Sequence, residues 1–162
     1  MPLGNPVGNK YRMELTRRTL RLKLKPADLH NQWANEDLVI RMLQVMHEHH
    51  GIGLAANQVG ERIRMFVMYI DGHSWGCFNP EIVQTYNDLT EFDEGCLSFP
   101  GETCIIKRPD TIDVRYYDVA GIEVVEKLTG LASRCFQHEL DHLNGITMHD
   151  RYKEQNAEQS GN

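Results

Sequence analysis

The sequence predicts an α+β fold, in which short antiparallel strands pack around one buried helix near the C-terminal end, with a second helix ahead of the strands. Three observations point to it. Apolar residues recur at helical spacing over residues 35–50 and again over 129–145. Between those segments the period shortens to that of strands. The turns joining the strands are tight, at Asp71-Gly72, at Asn87-Asp88 and over 118–121, as antiparallel neighbours permit and parallel ones do not. Strands grouped between helices make the class α+β.

Composition narrows the setting. At 162 residues the chain fits one domain, which we assign to 1–150, with 151–162 as a short polar tail. That tail has only Tyr152 and Ala157 as apolar side chains, so disorder is expected there. Hydrophobic residues at 41% and charged residues at 25% are ordinary for a globular protein. The longest apolar run, Met65-Phe66-Val67-Met68-Tyr69-Ile70, is too short for a bilayer, and no N-terminal segment has a signal-peptide core. The expectation is a cytoplasmic protein without membrane contact. A net charge of −6 argues against nonspecific nucleic-acid binding, which needs a basic surface, and no direct nucleic-acid partner is expected. Four scattered cysteines make no disulfide scaffold, and in a reducing compartment at least one is a ligand or nucleophile candidate.

Taken in order, residues 1–33 open loosely, and 12–25 is basic with leucines interspersed. Leu20-Arg21-Leu22-Lys23-Leu24 alternates as a half-buried strand does. The helix over 35–50 has Asn35 as N-cap, Glu36 and Asp37 in its first turn, and Leu38, Val39, Met42, Leu43, Val45 and Met46 as its apolar face. At its end His47-Glu48-His49-His50 invites a metal reading, but histidines there also cap carbonyls and complement the dipole, and that reading is preferred. Gly51-Ile52-Gly53-Leu54-Ala55-Ala56-Asn57-Gln58 follows as a helix-stopping loop laid against a ligand or a strand. It lacks the Lys-Ser/Thr of a phosphate loop. Strands are expected over 62–70, 75–79 ending at Pro80, 82–86, 104–107, 111–117 and 122–126.

The last helix, framed by Thr129 as N-cap and Gly145 as stop, carries the chemistry. His138-Glu139-Leu140-Asp141-His142 sets two imidazoles four residues apart on one face, where they can share a cation, with Glu139 beside them as a general base. Leu131 and Cys135 share that face, and Ala132, Phe136, Leu140 and Leu143 cover the adjoining one, so the helix is buried. Two histidines buried without partners would cost about 1–3 kcal/mol each, which a metal relieves. A third ligand is needed. Cys96, in the irregular stretch Glu94-Gly95-Cys96-Leu97-Ser98-Phe99-Pro100, ranks first; Cys135 ranks second, because three ligands along one straight helix converge poorly.

Together, Gly-Ile-Gly-Leu-Ala-Ala-Asn-Gln at 51–58, Glu-Gly-Cys-Leu-Ser at 94–98 and His-Glu-Leu-Asp-His at 138–142 resemble the three ordered motifs of the peptide deformylases. The resemblance spans about residues 40–150. It implies Cys96, His138 and His142 as metal ligands, Glu139 as acid and base, and Gln58 with the Leu97 backbone N–H as oxyanion donors. It implies substrate contacts at Gly51, Ile52, Gly53, Leu54, Glu94, Gly95, Leu131 and Cys135, with Glu94 also paired to Arg108. The activity implied is removal of the formyl group from formyl-methionine of nascent chains, with Fe(II) in the cell and Zn(II), Ni(II) or Co(II) as substitutes. A monomer with weak ribosome contact is expected. Three departures stand out: no Pro-Asp opening, Thr103 where some bacterial members carry arginine, and no long C-terminal helix.

Two other readings compete with this one. A zincin peptidase needs a downstream ligand, and His149, Asp150, Glu154 and Glu158 are not at such a spacing. A module that has lost its chemistry is disfavoured by the retention of Glu139 with all three ligands.

Overall fold

Strand β2, Met65–Ile70, is nearly all apolar because both of its faces are covered. In the computed structural model, which describes residues 12–160, alternate residues of β2 feed two cores. Phe66, Met68 and Ile70 join Cys135, Phe136 and Leu143 of helix α2, Gly130–Leu143, with the Phe66 and Phe136 rings edge to face at 5.0 Å. Met65 and Val67 face the other way, onto Met42, Val45 and Met46 of helix α1, Gln32–Glu48. A central sheet between two helices results.

That sheet is antiparallel, in the order β1-β2-β3-β6-β7, with β1 at Gly53–Ala55, β3 at His73–Thr85, β6 at Ile112–Tyr117 and β7 at Glu123–Leu128. A separate hairpin pairs β4, Leu89–Gly95, with β5, Thr103–Pro109. Helix α3, Met148–Ser160, lies beside β5. The α+β class and the antiparallel pairing hold. Among the described residues no helix is long and apolar enough to cross a membrane.

Several expectations are corrected. The alternating leucines at 20–24 form a turn, with Leu20 N–H bonded to Arg17 O and Leu22 N–H to Thr19 O, and only Lys25 bridges to Ile63. Local turn bonds outcompete the pleat that the alternation suggested. Helix α1 begins earlier, because Asn31 caps it by accepting from the Ala34 N–H at 3.2 Å. Asn35 is buried instead and donates to Asp28 O at 2.9 Å. Strand β3 runs straight through Pro80. A bulge between Phe78 and Glu81 leaves room for a residue without an N–H, and Asn79, at φ +50°, clasps both backbone groups of Ala27 there.

Strand β4 carries no alternating apolar face, having one buried residue in seven, so periodicity could not find it. The cap of α2 is not the Thr129 side chain; the Gly130 N–H is taken by Asp110 at 3.2 Å. Finally, the tail expected to be disordered is helical through Ser160. It has no apolar stripe, yet Met148 is buried and Gln155 accepts from Lys107 N and donates to Lys107 O, both at 2.9 Å, extending the edge of β5.

Candidate metal centre and active-site cleft

Helix α2 is driven against the five-stranded sheet by Phe136 and Leu143, which turns His138 and His142 toward the hairpin. The turn after β4 delivers Cys96 to the same point. One donor atom from each of Cys96, His138 and His142 lies within 4.8 Å of the others, and Cys96 Sγ is 3.3 Å from His142 Nε2. One thiol and two imidazoles, from two separate elements, fit a borderline divalent ion and leave a coordination position open. Cys135 is not in this group: its thiol points at Ile52 O, 3.8 Å away. Of the His47–His50 run, His47 packs edge to face on Tyr69, while His49 and His50 line the cleft described below.

Behind these three donors lies a buried charge network. Glu94 accepts from His138 Nδ1 at 2.9 Å, which leaves Nε2 as the ring nitrogen on the Cys96 side. The same carboxylate takes Arg108 Nε and a terminal Arg108 nitrogen at 2.6 and 3.0 Å, and Arg134 at 2.6 Å. Burial alone would raise the Glu94 pKa; the hydrogen bonds from His138 and Arg108 outweigh it and hold the group at about 2. Arg108 also reaches Asp141 at 2.9 Å, and Arg151 of α3 grips both oxygens of Asp141 at 2.7 and 3.0 Å. Burial likewise works against a charged His138, but the neighbouring Glu139, Cys96 and Glu94 raise it to about 10. Burial, helped by the charge on His138, pushes His142 well down.

In front of these donors is a cleft of about 670 Å³. Glu139 borders it, and burial lifts its pKa to about 7 despite the pull of His138. Its Oε1 is buried with no partner among the described residues, an acceptor awaiting a donor. Gly53 lets the chain pass close: a Cβ there would fall 2.5 Å from both Glu139 Oε2 and Cys135 Sγ. The amide of Gln58 is oriented because its oxygen accepts the Ala55 N–H at 2.8 Å, which aims Nε2 at Cys96 Sγ, 3.5 Å, and Ser98 Oγ, 2.9 Å.

Of the other expected contact residues, Gly51, Ile52, Gly53, Glu94, Gly95, Leu97, Leu131 and Cys135 all line the cleft. Ile52 and Leu131 are 41% and 42% exposed, an accessible apolar wall. Leu54 is the exception. It alternates to the far side of β1, fully buried against the α1 core, and touches no part of the cleft. Thr103, the position of one departure, is also in the lining. Sequence reasoning missed Ser98, Arg134 and Phe92, although Ser98 lies inside the second motif and Arg134 sits four residues before His138, on the face that reaches Glu94.

Comparison with known proteins agrees with this geometry. The sequence pattern of the family described as polypeptide deformylase matches residues 13–158. A peptide deformylase of Thermotoga neapolitana is 41% identical over 134 residues, covering 83% of this chain and 81% of that protein. The crystal structure of peptide deformylase from Thermotoga maritima has a TM-score of 0.80 at 38% identity, covering 87% of this chain and 96% of the other. One from Synechococcus elongatus, in complex with actinonin, has a TM-score of 0.81 at 34% identity, covering 92% and 86%.

Proposed function

This chain belongs to the polypeptide deformylase family, and from that membership we propose that its cleft hydrolyses the formamide bond of N-formyl-methionyl peptides, with Cys96, His138 and His142 holding a divalent metal ion. The activity is that of a peptide deformylase, a metal-dependent amide hydrolase. The observation that carries the site assignment is the meeting of those three donors beside Glu139 and an oriented Gln58 amide. A divalent ion bound there supplies Lewis-acid activation of a water molecule. The thiolate and two imidazoles suit Fe(II), with Zn(II), Ni(II) or Co(II) as substitutes.

The chain's own groups do the rest. Glu139 takes a proton from the attacking water as its oxygen bonds to the formyl carbon, and a base held near neutrality suits that task. Glu139 then hands the proton to the amine as the C–N bond breaks, releasing formate and a free N-terminus. The Gln58 Nε2–H and the Leu97 backbone N–H meet the charge growing on the formyl oxygen; one such donor is worth about 2.7–4 kcal/mol. The methionine side chain rests on Ile52, Leu131 and Cys135.

We read residues 1–150 as one catalytic unit working as a monomer on nascent chains in the cytoplasm, or in an organellar matrix or host cytoplasm if its origin is organellar or viral, with weak ribosome contact. The test is formate release from formyl-Met-Ala peptides after anaerobic reconstitution with Fe(II), Ni(II) or Zn(II). Formate with an otherwise intact peptide is expected. Cleavage of an internal peptide bond, or no formate with any of the three ions, would contradict the proposal.

A further inference from the structure

The charge network does not end at the catalytic helix. From His138 Nδ1 it passes to Glu94, then Arg108, then Asp141, and finally to Arg151 on α3, every link between 2.6 and 3.0 Å. We propose that Arg151 is a positioning residue for the metal centre, acting through Asp141, Arg108 and Glu94 on the orientation of His138. The proposal rests on His138 and Cys96 being metal ligands.

The geometry gives the reason. Asp141 is buried and sits between two guanidinium groups, with its Oδ2 accepting from both Arg108 and Arg151 and its Oδ1 from Arg151 alone. Arg108 is likewise shared, between Asp141 on one side and Glu94 on the other. Without Arg151, Asp141 keeps a single cation and competes harder with Glu94 for it. Glu94 is the acceptor that fixes the His138 ring, so its displacement is felt at the metal-facing nitrogen. Arg134 also holds Glu94, which limits the movement but does not replace the pull on Arg108.

Arg151 is the link nearest the surface: its side chain is 32% exposed, against 10% or less for Asp141, Arg108, Glu94 and His138. Helix α3 is held by several contacts: Met148 packs on Cys104 and Ile106 of β5, Asp150 pairs with Arg21, Gln155 ties the helix to the Lys107 backbone, and Arg151 ties it to Asp141. Of these, Arg151 joins the network that leads to His138, so its substitution separates docking of the helix from positioning of the ligand.

The experiment compares Arg151→Ala, Arg151→Lys and Gln155→Ala with the full-length chain. It reads Co(II) affinity by chelator competition, the visible spectrum of the Co(II) protein, and kcat and KM on a formyl-methionyl peptide. Outer-shell partners in direct contact with a ligand alter metal affinity about 10–100-fold, and the remote Arg151 belongs at the low end, about tenfold. We expect Arg151→Ala to weaken Co(II) binding by that amount, to shift the Co(II) bands and to lower kcat more than it changes KM. Arg151→Lys should restore part of each effect, while Gln155→Ala should match the wild type in all three. Arg151→Ala within twofold of wild type with an unchanged spectrum overturns the proposal. Gln155→Ala producing the same loss overturns it as well, because helix docking would then be the cause. A parallel Cys96→Ser protein separates the two levels: loss of Co(II) in Cys96→Ser with a silent Arg151→Ala leaves the ligand set standing, whereas Co(II) retained by Cys96→Ser brings down both.

Discussion

The two sides of helix α2 are both buried, and they are built on opposite principles. Toward the five-stranded sheet it presents Cys135, Phe136 and Leu143, which pack on Phe66, Met68 and Tyr116, where burial holds the Cys135 thiol and the Tyr116 phenol protonated. Toward the hairpin it presents Arg134, Gln137, His138 and Asp141, each tied to hairpin residues by hydrogen bonds of 2.6–3.0 Å. The first side supplies cohesion, which tolerates small adjustments of shape. The second is a network in which each buried charge depends on the next, and a buried charge left unpaired is costly. The groups proposed for catalysis emerge where the two meet. A ligand must be held in one orientation, and that orientation is set by directional bonds mounted on a helix that apolar packing has already fixed.

The largest effect that would sharpen this division is expected at Glu139. Glu139→Gln should lower turnover by about 10²–10⁴-fold, the usual worth of a positioned proton-transfer group, while metal content and melting temperature stay near wild type. A parallel fall in melting temperature would mean that Glu139 belongs to the cohesive side. Next is Phe136→Ala, which should cost about 3–5 kcal/mol of stability in denaturant unfolding. Where the variant remains folded, its kcat should change far less than its stability. Substantial loss of kcat in the folded fraction would show that the two sides are not separable.

A third test uses acid. Glu94 has a folded pKa of about 2, below the ordinary 4.5, so the stability it contributes is present above about pH 4.5 and is lost as pH falls toward 2. A difference of that size corresponds to about 3 kcal/mol. In metal-free protein the wild type should lose most of that, about 2.4 kcal/mol, between pH 5 and pH 2.5 beyond what Glu94→Gln loses. Asp150, held down to about 2 by Arg21, is common to both proteins and cancels. Parallel pH dependences would remove Glu94 from the network's energetics.

How much of this could be read from the sequence follows the same division. Helices α1 and α2 were legible because apolar periodicity reports burial against a core, and His138 with His142 because four-residue spacing is fixed by the helix itself. Cys96 ranks as third ligand because it lies in an irregular loop apart from the helix and in a family-like motif, whereas the roles proposed for Gln58 and Leu97 come from likeness to a family alone, since nothing local marks an oxyanion donor. Arg134, Asp141 and Arg151 were not recognised as partners of the site. Asp141 meets Arg108 across 33 positions, Arg134 meets Glu94 across 40, and Arg151 joins only through Asp141, none of which a local pattern encodes. Strand β4 was hidden for a related reason: its one buried residue, Glu94, is a charged one. Leu54 failed the other way, being in a site motif yet pointing into the core.

The central claim, that the separate loop cysteine completes the metal centre, is tested most directly by the Co(II) spectra of Cys96→Ser and Cys135→Ser. A thiolate bound to Co(II) gives a near-ultraviolet charge-transfer band that a hydroxyl ligand does not. The structure predicts that the band is strong in the wild type and in Cys135→Ser and absent in Cys96→Ser, whose bound cobalt falls as well. A band that survives in Cys96→Ser and disappears in Cys135→Ser would contradict the account at its base.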